Sequence, residues 1–145
     1  MSRVLQRARN RRDVALIIED DPALRRTLSY LFEAERIPTV AAGDGLAGIS
    51  LMRQHRPLVV VLDIYLPHVS GFEIVDELRE NRDCDGTLVI AITGMAEDEQ
   101  DIIAMKGKAD LIMTKPVDQR RLVELARAAL TVSADPTRWQ RRLFS

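Results

Sequence analysis

The stretch LVVVLDIYLP, residues 58–67, decides the fold of this 145-residue chain. Its first five residues are aliphatic, which is typical of a strand buried on both faces of a sheet. Asp63 follows this run directly, so its carboxylate stands where a strand leaves the core and meets solvent. Open α/β sheets keep their chemistry at such strand ends. We therefore expect Asp63 to be an acceptor at the functional edge of a parallel sheet.

Short β-branched runs alternate with amphipathic helical stretches on both sides of this strand. The predicted strands are residues 14–18, 38–41, 58–62, 88–92 and 110–114. The predicted helices are residues 22–35, 46–55, 72–81, 97–106 and 118–131. Such βα units favour a parallel sheet covered on both faces through right-handed crossovers. We expect an α/β fold with a doubly wound five-stranded parallel sheet, (βα)5, in the flavodoxin-like strand order 2-1-3-4-5.

The composition favours one globular domain in the cytoplasm. A hydrophobic share of 46% and a charged share of 30% are ordinary for a chain of this length with a single core. No apolar stretch has the length of a membrane span, and the N-terminus lacks the apolar core of a signal peptide. Cys84 is the single cysteine, which excludes an internal disulfide.

Both ends of the chain are basic and flank a domain predicted for residues 13–131. Residues 1–12 contain five arginines and no acid, which predicts a flexible extension. Nucleic-acid binding is not expected of it, because no DNA-reading fold accompanies these arginines. In the tail, residues 132–145, Trp139 and Leu143 have helical spacing. The tail is interpreted either as a frayed terminus or as a short helix that binds a partner or forms a homodimer.

Polar residues follow four of the predicted strands. Glu19 and Asp20 follow the first strand, Asp63 the third, Thr93 the fourth and Lys115 the fifth. Because the first and third strands are neighbours at the switch point of this sheet, their acids should converge. Clustered carboxylates repel one another unless a cation lies among them, and ligands that are all oxygen suit Mg²⁺, with Mn²⁺ as an alternative. Lys115 and the Thr93 hydroxyl would then suit a phosphoryl anion.

Four segments in this order resemble the receiver domain of two-component response regulators. They are IIEDDPALRRTL, VLDIYLPHVSGFEIV, AITG and TKP, and the resemblance covers roughly residues 13–131. It implies that Asp63 is a phosphoacceptor that attacks the phosphohistidine of a sensor histidine kinase or histidine phosphotransfer protein. It further implies a signalling domain rather than an enzyme, acting on an effector protein that the sequence does not name.

The resemblance also assigns roles around the acceptor. Asp20 and Asp63 would bind Mg²⁺ directly together with the backbone carbonyl of Tyr65, and Glu19 would bind it through water. Lys115 and Thr93 would contact the phosphoryl group. The Lys115–Pro116 peptide would be cis, as receivers usually have it.

The chain departs from the usual receiver pattern at several positions. Ile112 replaces the aromatic residue that often acts as a rotating switch, so we expect the output face to signal differently. Lys108 stands where receivers usually have glycine, which leaves the turn into the fifth strand open. Tyr65 and Met95 are large at two positions that shape hydrolysis, so we expect them to restrict attacking water and lengthen the phosphorylated lifetime.

The same residues allow other interpretations. The chain could be a pseudo-receiver, a binding module that signals without phosphorylation, and Ile112 favours that reading mildly. A small phosphohydrolase or flavin protein is a third class. Tyr65 stands where an aspartyl phosphohydrolase would need a second acid, and the acids at 19–21 would repel a flavin phosphate. Asp21 before Pro22 is interpreted as a helix N-cap. The two histidines, His55 and His68, are left out of the site.

Overall fold

The computed structural model describes residues 13–94 and 99–131, and within these ranges five parallel strands form one sheet in the order β2-β1-β3-β4-β5. The strands are β1 (Ala15–Ile18), β2 (Thr39–Ala42), β3 (Val59–Asp63), β4 (Leu88–Thr93) and β5 (Leu111–Thr114). The helices are α1 (Pro22–Ala34), α2 (Gly45–His55), α3 (Gly71–Glu80), α4 (Glu99–Lys106) and α5 (Gln119–Leu130). The predicted doubly wound fold and its strand order are confirmed. The short 3-10 helix Arg82–Cys84 was not predicted.

Two apolar cores lie on opposite faces of the sheet. Alternate residues of β1 belong to different cores: Ile17 packs with α1 and α5, whereas Leu16 packs on the face that contains Met52 of α2 and Ile74 of α3. Every residue of β1, β3 and β4 is buried. A central parallel strand needs apolar residues at all positions because both of its faces are covered, which explains the unbroken run in β3.

Side-chain caps begin four of the helices close to the strand ends. In each case a side-chain oxygen accepts a hydrogen bond from a backbone amide of the first turn, which satisfies one of the free helical donors. The capping residues are Asp21, Asp44, Ser70 and Asp118. The predicted role of Asp21 is confirmed, since its carboxylate accepts from the Ala23 amide at 3.1 Å.

Gly71 allows α3 to begin directly against the end of β3. A Cβ atom added at this position would lie 2.8 Å from the carbonyl oxygen of Asp63 and 2.9 Å from the Cα of Ile64. The Gly71 amide donates to the Ile64 carbonyl at 3.0 Å. Because these neighbours are backbone atoms that cannot move aside, only glycine fits here, and the loop of residues 64–70 is closed tightly beside Asp63.

Lys108 is accommodated in the turn between α4 and β5 without left-handed backbone. The amides of Lys108 and Ala109 both donate to the Met105 carbonyl, at 2.9 and 2.8 Å. The Lys108 ammonium forms an ion pair with Asp76 of α3. The turn therefore does not require glycine. None of the helices in the described part of the chain is long and apolar enough to cross a bilayer.

Candidate functional site

Three carboxylates meet at the carboxyl ends of two adjacent strands. Ile18 of β1 pairs with Leu62 of β3, so the residues that follow each strand leave the sheet side by side. One oxygen from each of Glu19, Asp20 and Asp63 lies within 4.8 Å of the others. Glu19 and Asp63 are buried, with 2% and 5% exposure, whereas Asp20 is exposed. The topology thus assembles an acidic crevice that is open on one side.

Lys115 connects two of these carboxylates from a more distant strand. Its ammonium lies 2.9 Å from Asp63 Oδ2 and 3.0 Å from Glu19 Oε1. The residue follows β5, which is separated from β3 by β4, and its amide donates to the Thr93 carbonyl at 2.8 Å. The predicted cis Lys115–Pro116 peptide is present. The lysine therefore reaches across the end of β4 to place one positive charge between two buried acids.

The electrostatics of Glu19 fit a cation site. Burial raises the pKa of Glu19 to about 7, and its hydrogen bond with Asp63 acts in the same direction while Lys115 opposes both. Glu19 Oε2 is the one buried side-chain oxygen or nitrogen in the described residues without a hydrogen-bond partner. An orphaned carboxylate oxygen beside two further acids suits a hard divalent cation, which binds oxygen ligands and offsets their repulsion.

The pKa of Lys115 reflects the same cluster. Burial lowers this pKa, but hydrogen bonds to Asp63 and Glu19 and their negative charges outweigh burial, so the pKa is raised above its ordinary value. Lys115 is therefore held as a cation in the crevice. A cation at this place can attract an incoming anion to the Asp63 carboxylate.

Tyr65 contacts the other oxygen of the Asp63 carboxylate. The Tyr65 amide donates to Asp63 Oδ1 at 2.9 Å, and its hydroxyl donates to Asp101 Oδ2 of α4 at 2.8 Å. The Ile64 amide donates to the Ile92 carbonyl at 3.0 Å, which continues the pairing of β3 and β4 past Asp63. Both oxygens of Asp63 are thus fixed, one by Tyr65 and one by Lys115.

The remaining predicted positions lie around this crevice. Thr93 is fully buried at the end of β4, opposite Thr114 of β5 in the register. Ile112 is half-buried and packs against the apolar core on the α2 and α3 face of the sheet. Met95 lies outside the described residues, as do residues 1–12 and 132–145, so the predictions for both chain ends remain predictions.

Within the described residues, the carboxylates that are close enough together to hold a cation are those of Glu19, Asp20 and Asp63, and neither histidine belongs to this group. His55 is the last residue of α2. His68 lies in the loop after β3, is exposed and has a left-handed backbone with φ of 69°.

Arg25 is a site residue that the sequence patterns did not indicate. Its Nη1 donates to the Glu19 carbonyl at 2.8 Å and lies 2.8 Å from the position of a Cβ added at Gly43. The guanidinium thus fills the space between the end of β1 and the turn before α2. The available signal was an arginine in the first turn of α1, close in sequence to the end of β1. The length and the many rotamers of an arginine leave its partner undetermined from sequence.

Glu19 is expected to make the metal-free protein less stable as pH rises. The pKa of Glu19 is about 7 in the fold against an ordinary 4.5, so the folded state binds the proton more tightly. The stabilisation is present below pH 4.5 and is lost as pH rises through 7. We subtract the unfolding free energy of Glu19→Gln from that of wild type at each pH. This difference should fall by up to about 3 kcal/mol between pH 5 and 8. Urea unfolding with chelator checks this, and parallel pH profiles would contradict it.

The sheet order and the acidic crevice define a flavodoxin-like α/β protein with three clustered carboxylates at the switch point. The family model described as "Response regulator receiver domain" matches residues 15–127. The chain therefore belongs to the response regulator receiver domain family of two-component systems. This confirms the predicted family, and the fold and crevice agree with it.

Individual relatives and solved structures agree with this assignment. The chain is 35% identical over 117 residues to the transcriptional regulatory protein AfsQ1 of Streptomyces coelicolor, covering 79% of this chain and 50% of AfsQ1. It is 30% identical over 115 residues to the polar-differentiation response regulator DivK of Brucella anthropi, covering 79% of this chain and 94% of DivK. The chain thus spans about half the length of AfsQ1. A CheY-like receiver structure from Methanospirillum hungatei JF-1 has a TM-score of 0.73 at 26% identity, covering 83% of this chain and 95% of that structure.

Proposed function

We propose that this chain is a phosphoacceptor receiver that takes a phosphoryl group onto Asp63 from the phosphohistidine of a partner protein and thereby changes its binding to other proteins. The observation that carries the proposal is the surroundings of the Asp63 carboxylate. A lysine ammonium lies 2.9 Å away, and two further acids lie within 4.8 Å. This arrangement places a nucleophile, a clamp for an anion and oxygen ligands for a cation in one crevice.

The proposed transfer is an in-line displacement at phosphorus. An Asp63 oxygen forms the new P–O bond while the P–N bond to the donor imidazole breaks, and the imidazole keeps that electron pair and takes up a proton. Lys115 exchanges its contacts with Asp63 and Glu19 for the phosphoryl oxygens, and Thr93 donates its hydroxyl proton to another of them. Catalysis of such a step consists mainly of positioning and charge neutralisation, which these fixed groups provide.

Mg²⁺ is the proposed cofactor, with Mn²⁺ as a substitute. Asp20, Asp63 and the Tyr65 carbonyl would hold it directly, and Glu19 would do so through water. When bound, it supplies positive charge to the phosphoryl oxygens. The orphaned Glu19 Oε2 supports this assignment, because it leaves a buried ligand oxygen without a partner. Burial raises the pKa of Glu19, and the hydrogen bond and charge of Asp63 act in the same direction, so a cation among these acids would favour the ionised form.

The family of the chain supports the proposed partners. The donor histidine would belong to a sensor histidine kinase or histidine phosphotransfer protein. An effector protein would read the phosphorylated surface, and a homodimer through residues 132–145 is a further proposed assembly. The domain would act as a signalling module rather than as an enzyme, in the cytoplasm where such kinases present their phosphohistidine. The assembled acids and Lys115 do not favour the pseudo-receiver alternative.

Intact-mass measurement with a small-molecule phosphodonor tests the proposal. The protein is incubated with acetyl phosphate and Mg²⁺, and parallel samples contain Mn²⁺ or a chelator. We expect one phosphoryl group per chain that is stable in acid, labile in base, dependent on the metal and mapped by fragmentation to Asp63. An adduct on another residue would contradict the proposal. The lack of any adduct with either metal would favour a binding module that signals without phosphorylation.

A further inference from the structure

Tyr65 is held at both ends, and its two partners come from different parts of the site. Its backbone amide donates to the Asp63 carboxylate at 2.9 Å, while its hydroxyl donates to Asp101 Oδ2 at 2.8 Å, across 36 positions of sequence. Asp101 lies in the first turn of α4. Tyr65 therefore bridges from the proposed acceptor to the helix that follows β4.

The hydrogen bond to Asp101 restricts the position of the Tyr65 ring. The flanking residues Ile64 and Leu66 are 1% and 8% exposed, so the backbone at Tyr65 is anchored on both sides. Tyr65 itself is 46% exposed, so part of its surface faces solvent. An exposed aromatic side chain samples several staggered rotamers unless a contact selects one. The hydrogen bond to Asp101 is a contact of this kind.

The ring belongs to the residue whose amide contacts Asp63 Oδ1, two residues from the acceptor on the same loop. In the proposed cycle, hydrolysis needs a water oxygen to attack phosphorus as the P–O bond to Asp63 breaks. This step returns the Asp63 carboxylate and releases inorganic phosphate, and the water protons pass to the phosphate and to solvent. A bulky ring held near the phosphoryl group limits the approach of that water, whereas a ring free to rotate away does so for only part of the time.

We propose that Asp101 is a positioning residue that prolongs the lifetime of the aspartyl phosphate by holding the Tyr65 ring beside it. The inference rests on the proposed phosphorylation of Asp63 and extends it to a residue on a separate element. Asp101 touches neither the phosphoryl group nor the Asp63 carboxylate in this role. Its effect passes through the Tyr65 hydroxyl, so the two residues act as one unit.

A double-mutant cycle on the decay of the phosphorylated form tests the inference. Wild type, Asp101→Ala, Tyr65→Phe and the double variant are loaded with acetyl phosphate and Mg²⁺, freed of donor, and followed by intact mass. We expect each single variant to lose the phosphoryl group about 3-fold to 10-fold faster, which is the range for loss of one hydrogen bond. The double variant should decay no faster than either single variant.

Two matched variants separate positioning from charge and from helix stability. Asp101→Asn keeps an oxygen that accepts from the Tyr65 hydroxyl, so its decay should match wild type. Glu99→Ala removes another acid from the first turn of α4 and should also leave decay unchanged. Thermal unfolding of each variant verifies the fold.

Several results would overturn the inference. One is decay at the wild-type rate in both single variants, and another is an acceleration in the double variant that equals the two single effects combined. A third is an acceleration in Asp101→Asn equal to that in Asp101→Ala, because this would assign the effect to charge. Variants that load as wild type and decay at the wild-type rate would refute the positioning role alone. Absence of any adduct on the wild-type protein would refute the proposed function and this inference together.

Discussion

Asp63→Asn is expected to carry no phosphoryl group under conditions that load the wild-type chain completely. An amide oxygen is a far weaker nucleophile than a carboxylate, and a phosphorylated amide would not form at a measurable rate. The substitution preserves shape, and its side-chain oxygen still accepts from the Tyr65 amide, which now contacts Asp63 Oδ1 at 2.9 Å. Intact mass with acetyl phosphate and Mg²⁺ measures the loss.

Asp21→Asn is the matched control for this variant. It makes the same carboxylate-to-amide change at a neighbouring exposed acid that caps α1, and asparagine caps helices about as well as aspartate. We expect full loading of Asp21→Asn. An adduct retained in Asp63→Asn, or lost in Asp21→Asn, would contradict the acceptor assignment.

The fold could be predicted because burial on both faces of a parallel sheet leaves a strong sequence signal. Residues 58–62 were predicted as a strand, and β3 is Val59–Asp63, so the strand extends through the acceptor itself. The beginning of α1 was predicted from Asp21 as a capping residue before Pro22. The 3-10 helix Arg82–Cys84 was missed because three residues carry neither a helical period nor a cap pattern.

The convergence of the acids could also be predicted, because strand order alone brings the ends of β1 and β3 together. The contacts that tune the site could not. The burial of Glu19 to 2% exposure, the Arg25 contact with its carbonyl and the bond from Tyr65 to Asp101 depend on side-chain rotamers and on packing between elements distant in sequence. Local patterns identify which residues reach the crevice, whereas their partners follow only from the assembled tertiary structure.

Lys115→Met is expected to slow phosphorylation of Asp63 by about 10²-fold to 10³-fold. Among the described residues, Lys115 provides the one side-chain cation within hydrogen-bond distance of the acceptor, and the variant loses it. The rate of adduct formation with limiting acetyl phosphate and saturating Mg²⁺ measures this effect. Lys106→Met removes a lysine from the exposed last turn of α4 and should load at the wild-type rate. Equal loading rates in Lys115→Met and wild type would remove Lys115 from the proposed mechanism.

The same substitution should also destabilise the metal-free protein in a pH-dependent way. Without Lys115 the buried carboxylates of Glu19 and Asp63 lose a partner that now lies at 3.0 and 2.9 Å, and breaking such a pair costs about 3 kcal/mol. Lys115 opposes the rise in the Glu19 pKa, so loss of Lys115 raises that pKa further. Glu19 then takes up a proton more readily, and this proton neutralises the charge that Lys115 would have balanced. The destabilisation relative to wild type should therefore be large at pH 8 and smaller at pH 6. Urea unfolding in chelator at both pH values measures it, and an equal loss at both would show that Glu19 does not take up the missing charge.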